Sequence, residues 1–413
     1  MLFLYRILIN IIFLISPLII IYRLIKKKED VKRFKEKLCF FTKKNIKGKL
    51  VWFHGASVGE LQSIVPLIEK IGKNNKIKKI LVTSNTLSSS KVLHKLNIKK
   101  VTHQFFPVDT NFHTKKFLNY WNPSSAFFID SEIWPNMYLN LKRKNIPITL
   151  INGRITKKSF NKWKIFLNFS KKIFSCFDLC IVANKESKKY LKKLGVKKIK
   201  LFGNLKFSQS ENEEINISRS LKKHILSRKT WCASSTHNNE EEFCGSVHKK
   251  LKNKYSNLLT IIIPRHITRV GLITKQLNKM GLITQNYQSE KKIKKNIDVY
   301  IVDAYGKTKS FYYFCKNIFL GGSIINHGGQ NPLEATRYGC SVLHGPNISN
   351  FKEIYDFLKK NKISQKIITE KNMVNSLIKL FSQKSDSKKI QKKLSLIGQK
   401  ILDSTYKEIK LRL

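Results

Sequence analysis

The chain has 413 residues, 42% of them hydrophobic and 11% aromatic, which excludes a disordered protein and exceeds the length of one ordinary core. Its 80 Lys and Arg residues face only 26 Asp and Glu residues, for a formal net charge of +54. Because these cations are dispersed and form no recognisable nucleic-acid-binding motif, we expect no nucleic-acid partner in spite of the charge.

The first predicted element is an almost purely apolar segment at residues 7–21, preceded by Arg6 and followed by cations at 23 and 26–28. A removed signal peptide would carry its charges before the segment and a small-residue cleavage site after it. We therefore predict a membrane-anchor helix at 1–25. It either spans the bilayer with Arg6 snorkelling or lies in the membrane plane, and both arrangements leave the body of the protein in the cytoplasm.

The basic stretch at 23–37 and the other dispersed cations have two possible explanations. One is a Lys-, Ile- and Asn-rich composition of the kind that an AT-rich coding sequence produces. The other is selection for an anionic membrane surface, where each nearby Lys or Arg contributes about 1 kcal/mol. The second explanation predicts that this stretch contacts anionic lipid.

From residue 50 onward, short apolar runs alternate with longer amphipathic segments, which predicts doubly wound, mostly parallel α/β sheets. In the first half we predict helices at 61–71 and 88–96 and strands at 50–54, 80–83, 126–130, 148–152 and 180–183. In the second half we predict strands at 230–233, 259–263, 299–302, 318–320 and 341–344. A last helix at about 387–411 has the pattern to pack on either half.

A polar stretch separates the two halves, and this organisation makes two Rossmann-like domains facing a cleft, the GT-B architecture, plausible. The predicted boundaries are 26–207 for the N-terminal domain, 208–219 for the linker and 220–413 for the C-terminal domain with the last helix. Ligands of such sheets bind at the carboxyl ends of the strands. The seven cysteines lack paired CxxC spacing, so we expect reduced, buried thiols rather than a zinc site or disulfides.

Two motifs in the first half place carboxylates just after predicted strands. The sequence WFHGASVGE at 52–60 has small residues between a strand and a helix, and Glu60 falls near the first helical turn. Taken alone, such a glutamate would be explained by the helix dipole. The sequence FIDSEIWPN at 128–136 brings Asp130 and Glu132 to a strand end. Burying these carboxylates there without a charged or hydrogen-bonding partner would be costly. Arg154, after the next strand, could pair with them or with a ligand anion.

The second half carries loops rich in glycine, hydroxyl and cationic groups, most of them directly after predicted strands and suited to binding phosphate. Their sequences are GNLKF at 203–207, ASSTHNNEE at 233–241, PRHITR at 264–269, LGGS at 320–323 and GGQNPLEA at 328–335.

In this order and spacing, from residue 52 to about 351, the motifs resemble those of the Kdo (3-deoxy-D-manno-oct-2-ulosonic acid) transferase family of lipopolysaccharide biosynthesis. The resemblance implies a GT-B fold with an acceptor-binding first half and a CMP-Kdo-binding second half. It also implies inverting transfer of Kdo from CMP-Kdo to the 6′-hydroxyl of a lipid A precursor (lipid IVA), with no cofactor and no metal. The implied location is the cytoplasmic face of the bacterial inner membrane, on its anionic surface.

The family pattern also implies roles for individual residues. Glu60 is implied to be the general base, and Asp130 and Glu132 are implied acceptor-side or structural carboxylates. The implied donor-binding residues are Lys206, Ser235, Thr236, Arg265, Gly321, Gly322, Ser323, Asn331 and Glu334. Two positions depart from the family: Asp130 stands where a glutamate is usual, and Gln330 stands where a histidine is common.

Another GT-B enzyme, such as a UDP-sugar transferase or a nucleotide-sugar 2-epimerase, is the alternative interpretation. It would explain the two halves and the Gly-Gly loop, but not the anchor together with the sequences SVGE and EIWPN. The motifs set neither the number of Kdo units transferred nor the oligomeric state.

Overall fold

A computed structural model describes residues 1–209, 215–287, 293–383 and 386–413, and over these ranges the chain forms two compact units. Unit 1 comprises Met1–Gln209 together with Ile397–Leu413. Unit 2 comprises Ser210–Leu396.

Unit 1 opens with a long helix and then alternates strands with helices. Its elements are α1 (Leu2–Ile25), β1 (Leu50–His54), α2 (Val58–Gly72), β2 (Lys79–Ser84), α3 (Leu87–Leu96), β3 (Val101–Phe105), α4 (Asn111–Trp121), β4 (Ser125–Ile129), α5 (Pro135–Arg143), β5 (Ile148–Gly153), α6 (Lys157–Ile165), α7 (Leu167–Phe174), β6 (Leu179–Val182), α8 (Lys185–Lys193) and β7 (Ile199–Leu201).

Unit 2 repeats the alternation, and its last helix continues into unit 1. The elements are α9 (Arg219–Ser227), β8 (Lys229–Thr236), α10 (Glu240–Lys252), β9 (Leu258–Pro264), α11 (Val270–Lys279), β10 (Thr284–Asn286), β11 (Val299–Ile301), α12 (Thr308–Phe314), β12 (Asn317–Leu320), α13 (Leu333–Arg337), β13 (Ser341–His344), α14 (Lys352–Lys360), β14 (Ser364–Lys366), α15 (Glu370–Ser382) and α16 (Ser387–Lys410).

Local sequence explains where many of these elements begin and why the strands are buried. A side-chain oxygen caps the first turn of five helices described in unit 1, from Ser57, Thr86, Thr110, Thr156 and Asn184. Strands β1 and β4 are buried along their whole length, because helices cover both faces of a parallel sheet. Within the described ranges all seven cysteines are buried and unpaired, as the sequence predicted.

Both sheets are parallel, and each has a point at which the strand order reverses. The described strands of unit 1 follow the order β3-β2-β1-β4-β5-β6-β7, so the reversal lies between β1 and β4. In unit 2 the order is β10-β11-β9-β8-β12-β13-β14, and the reversal lies between β8 and β12. Ligands of doubly wound sheets bind beside such points, at the carboxyl ends of the strands.

The predicted α/β class is confirmed, and the ten predicted strands all lie in the two sheets. Within the described residues, the sheets contain four further strands, β3, β7, β10 and β14, and each is the outer strand of its sheet. An outer strand has a neighbour on one side only and needs fewer apolar residues. Strand β10, for example, has the sequence TQN.

The C-terminal helix differs from the predicted domain boundary. Helix α16 begins in unit 2, but residues from Ile397 onward belong to unit 1 rather than to the predicted C-terminal domain. The reason is apolar burial: Ile401, Leu402 and Ile409 lie in the same core cluster as Phe53 of β1. The predicted linker falls at the boundary between the units, and its residues 210–214 lie outside the described ranges.

Helix α1 is the one helix of the described chain that is long and apolar enough to cross a membrane. Its exposed face carries large apolar side chains such as Phe3, Leu14 and Leu18. The half-buried side chains recur every three or four residues, which places them on one helix face. They are Leu2, Tyr5, Arg6, Ile9, Phe13, Ser16, Ile20, Arg23 and Leu24.

Candidate active site

Glu60 lies in the first turn of α2, directly after the loop that follows β1. Ser57 caps this turn, and its hydroxyl donates a hydrogen bond to Glu60 Oε1 at 2.8 Å. The backbone N–H of Ala56 donates to Glu60 Oε2, also at 2.8 Å. The carboxylate is therefore held by the loop, and it is half-buried.

The pKa of Glu60 is raised to about 7, chiefly by burial and in smaller part by the nearby carboxylates of Glu132 and Asp130. The hydrogen bonds from Ser57 and Ala56 act in the opposite direction, because they stabilise the ionised form. A carboxylic acid that titrates near neutral pH is well matched to accept a proton from a substrate and to release it again.

Asp130 and Glu132 follow β4, the neighbour of β1 across the reversal point, so they reach the same sheet edge as Glu60. Asp130 has a left-handed backbone, φ 62°, and its N–H donates to the carbonyl of Ile151 at 3.0 Å. Lys206 Nζ lies 4.0 Å from Asp130 Oδ2. The residue predicted to bind the donor is thus in unit 1, beside a predicted acceptor-side carboxylate.

Glu132 is supported by aromatic and imidazole groups. Trp134 Nε1 donates to Glu132 Oε2 at 3.0 Å, and His54 Nε2 lies 3.3 Å from the same oxygen. Tyr138 donates its hydroxyl hydrogen to the Glu132 carbonyl. His54 Nδ1 lies 3.0 Å from Thr83 Oγ1, so both ring nitrogens have partners.

His54 is fully buried at the end of β1, and burial lowers its pKa, so the ring is neutral at physiological pH. The tautomer with a proton on Nε2 donates to Glu132. Sequence reasoning placed His54 inside a motif but assigned it no contact. Its position at a strand end, with Glu132 ending the neighbouring strand, was the available signal.

In unit 2 the predicted ligand-binding loops meet at the reversal point between β8 and β12. Ser235 has a left-handed backbone, φ 58°, and the carbonyl of Thr236 accepts from the Arg265 N–H at 3.0 Å. Gly321 N–H donates to the carbonyl of Ser234 at 2.9 Å. The guanidinium of Arg265 is exposed at this edge.

Glu240 organises this edge, a role that sequence reasoning missed. Its buried carboxylate accepts backbone N–H bonds from Gly322 at 2.7 Å and Ser323 at 3.1 Å. It also accepts from His237 and Ile324, both at 3.0 Å. The family pattern implied that Gly321, Gly322 and Ser323 bind the donor, but the N–H groups of Gly322 and Ser323 donate to Glu240.

The second glycine-rich loop packs against the first. Gly329 N–H donates to the Gly322 carbonyl at 2.8 Å, with both glycines in left-handed backbone conformations. Asn331 Oδ1 accepts from the Leu333 N–H at 3.1 Å, directly before α13. Glu334 follows in the first turn of that helix and is half-buried.

Two buried polar atoms at the end of β8 lack a hydrogen-bond partner among the described residues. They are Thr236 Oγ1 and His237 Nε2. The His237 ring lies 4.3 Å from the ring of His327, centroid to centroid, so several polar groups converge here. In the described part of the chain, no group of three or more His, Cys, Asp or Glu side chains could hold a metal ion.

Sequence comparisons point to one family. Residues 32–209 match a family model described as 3-deoxy-D-manno-octulosonic-acid transferase (kdotransferase). The chain is 32% identical over 377 residues to the 3-deoxy-D-manno-octulosonic acid transferase of Rickettsia bellii, with 88% of each chain covered. It is 28% identical to the enzyme of that name from Haemophilus influenzae, covering 85% of this chain and 83% of that one.

Solved structures show a likeness of fold. A UDP-GlcNAc 2-epimerase from Neisseria meningitidis, bound to UDP-GlcNAc, aligns with a TM-score of 0.57 at 13% identity, covering 87% of this chain and all 100% of that one. The glycosyltransferase of kitacinnamycin aligns with a TM-score of 0.52 at 10% identity, covering 89% and 100%. At such identities the likeness concerns the fold alone, and it confirms the predicted GT-B class.

Proposed function

We propose, from the premise that the chain belongs to the 3-deoxy-D-manno-octulosonic acid (Kdo) transferase family, that it moves Kdo from CMP-Kdo to the 6′-hydroxyl of a lipid A precursor. Kdo transfer itself follows from the relatives. The donor nucleotide, the acceptor, inversion and the absence of a required metal are the proposal. The observation that carries it is the half-buried Glu60 carboxylate, whose pKa is raised by burial to about 7.

In the proposed reaction, Glu60 accepts the proton of the acceptor hydroxyl. The hydroxyl oxygen forms a bond to the anomeric carbon of Kdo, and the bond from that carbon to the phosphate oxygen breaks. CMP leaves with the electron pair, and attack from the opposite face inverts the anomeric centre. Ser57 and Ala56 hold the base in place during this transfer. Such proton removal typically contributes roughly 10²–10⁴-fold in rate.

The carboxylates of Asp130 and Glu132 have a second task in this scheme. Their negative charge raises the pKa of Glu60, which makes it a stronger base than an isolated glutamate. Glu132 is fixed by Trp134 and His54 and is suited to accept hydrogen bonds from sugar hydroxyls of the acceptor. Asp130, with Lys206 4.0 Å away, contributes to the same polar edge.

The donor is assigned to the unit 2 edge. The exposed Arg265 guanidinium would neutralise the phosphate of CMP, which carries less charge than a nucleoside diphosphate. The hydroxyl of Thr236, buried without a partner among the described residues, supports a ligand contact here. Ser235, Asn331 and Glu334 are the remaining candidates, with Glu334 placed to accept from a ribose hydroxyl.

The lipid acceptor requires the enzyme to work at a membrane surface. The exposed apolar face of α1 would enter the interface of the bacterial inner membrane, and cations follow at its C-terminal end. Arg23, Lys27 and Lys28 line a pocket of about 370 Å³ together with Lys91. Its cationic lining supports contact with an anionic lipid surface on the cytoplasmic side.

The test is mass spectrometry of a tetraacylated lipid A precursor after incubation with the detergent-solubilised protein and freshly generated CMP-Kdo in EDTA. We expect a mass gain of one or more Kdo units, and the Glu60→Gln variant should show almost none. No gain with folded protein and intact donor would overturn the proposed donor–acceptor pair. A gain that requires added divalent metal would overturn the metal-independent mechanism alone.

A further inference from the structure

Helix α1 is bound to the rest of unit 1 by specific polar contacts near its N-terminal end. The hydroxyl of Tyr5 donates to Asp109 Oδ2 at 2.7 Å. Arg6 Nε donates to Asn136 Oδ1 at 3.0 Å. About two turns further on, the ring of Phe13 packs on His113 with centroids 4.7 Å apart. A helix that served only as a flexible tether would need none of these contacts.

The other end of α1 also lies against unit 1. Arg23 Nε donates to Oε1 of the buried Glu29 at 2.7 Å, and Lys37 Nζ donates to the same oxygen at 2.7 Å. The two contact points are 18 residues apart in sequence, or about 27 Å along a helix, which is close to the thickness of a bilayer's hydrocarbon core. If α1 crossed the membrane, one of these contacts would lie on the opposite side from unit 1. The contacts therefore favour a helix in the membrane plane.

Asp109 and Asn136, which bind α1, also contact each other at the first turn of α5. Asp109 is 1% exposed, and its carboxylate accepts the backbone N–H groups of Asn136 at 3.0 Å and Met137 at 2.9 Å. The Asn136 side-chain amide donates to the Asp109 carbonyl at 2.6 Å. The Asp109 carboxylate thus binds both Tyr5 of α1 and the first turn of α5, and the Asn136 side chain binds both Arg6 of α1 and the Asp109 carbonyl.

The first turn of α5 follows directly on the loop of Glu132. Trp134 occupies the N-cap position of α5 and donates its indole N–H to the Glu132 carboxylate. Tyr138, one turn later, binds the Glu132 carbonyl. A continuous chain of hydrogen bonds and short backbone segments therefore runs from α1 to the candidate site.

We infer that Tyr5 and Arg6 are positioning residues, and we call their contacts with Asp109 and Asn136 the latch. The latch holds α1 in the membrane plane and fixes the loop that carries Glu132. Docking of the helix on unit 1 then sets the geometry of the acceptor-side carboxylate as well as bringing the enzyme to its lipid substrate. The effect on catalysis rests on the proposed function, whereas the effect on the loop does not.

The experiment compares full-length Tyr5→Phe with Tyr22→Phe, which removes the hydroxyl of an exposed tyrosine on the same helix. Hydrogen exchange is followed by mass spectrometry in peptides covering 135–141. A hydrogen bond to a buried charge corresponds to roughly tenfold or more in an equilibrium. We therefore expect exchange to quicken by roughly tenfold in Tyr5→Phe, and Tyr22→Phe to match the parent.

Kinetics in mixed micelles supply the second readout. We expect kcat of Tyr5→Phe to fall at least about threefold, with KM for CMP-Kdo and vesicle binding unchanged, because the anchor itself is intact. Adding Arg6→Gln should deepen both effects. Unchanged exchange in the double variant would overturn the latch, and so would a fall in kcat without faster exchange. If the parent transfers no Kdo, the proposed function fails, while the exchange data still decide the latch.

Discussion

Replacing Glu60 by glutamine should change activity and stability in opposite directions. The pKa of Glu60 rises from 4.5 in an unfolded chain to about 7 in the fold, with burial as the first cause. At 1.36 kcal/mol per pKa unit, ionised Glu60 costs the fold up to about 3 kcal/mol above pH 7. Below pH 4.5 the carboxyl is protonated in both states, and this cost is absent. The free energy of unfolding therefore falls as pH rises from 4.5 to about 7, where Glu60 ionises in the fold.

We therefore expect Glu60→Gln to raise the free energy of unfolding at pH 8 by about 1–2 kcal/mol. This allows for weaker hydrogen bonds to Ser57 and Ala56. At pH 4 the variant and the parent should be alike. Kdo transfer should fall roughly 10²–10⁴-fold, because the amide cannot accept the proton. The parent's rate should rise with pH up to about 7, the pKa that burial gives Glu60.

The assays are urea unfolding at pH 4 and pH 8 and initial transfer rates between pH 5 and pH 9. Glu69→Gln, at an exposed position of the same helix, is the matched control and should change neither quantity appreciably. If Glu60 only stabilised the helix dipole, its replacement would lower stability by about 0.3–1 kcal/mol and leave most activity. That pair of results would refute the assignment of Glu60 as the base.

Three further outcomes are expected. His54→Phe should lower kcat about tenfold or more and destabilise unit 1 by about 1–3 kcal/mol, because a hydrogen bond to Glu132 is lost; kinetics and urea unfolding check both. Glu240→Ala should destabilise unit 2 by at least about 3 kcal/mol, since four backbone N–H groups lose their acceptor; an unchanged urea midpoint would contradict this. If Arg265 neutralises the leaving phosphate as proposed, EDTA should leave the rate unaltered; a rate restored by Mg²⁺ would contradict this.

Interior strands were predictable from the sequence because burial on both faces leaves a continuous apolar run. Strand β1, with the sequence LVWFH, begins and ends where the pattern predicts. The outer strands β7 and β14, with the sequences IKL and SQK, carry little such signal, since solvent covers part of their surface. Their place in the sheets depends on contacts with a neighbour that is distant in sequence.

The site shows the same division between local and tertiary information. Motif positions were sufficient to bring Glu60, Asp130 and Glu132 to one sheet edge. The acceptor role of Glu240 could not be read from its position at the start of α10, because its partners Gly322 and Ser323 are more than eighty residues away. The family pattern implied that Lys206 binds the donor together with loops of unit 2, although the predicted boundary put it in the first domain, and the fold places it beside Asp130.

The packing of the last helical segment has a consequence for synthesis. The core of unit 1 around Phe53 includes Ile401, Leu402 and Ile409, which are translated only after all of unit 2. At 5–20 residues per second, that interval lasts roughly 10–40 s. During it, the growing chain presents an uncovered apolar surface on unit 1, so a chain shortened before residue 397 should be prone to aggregate and to attract chaperones.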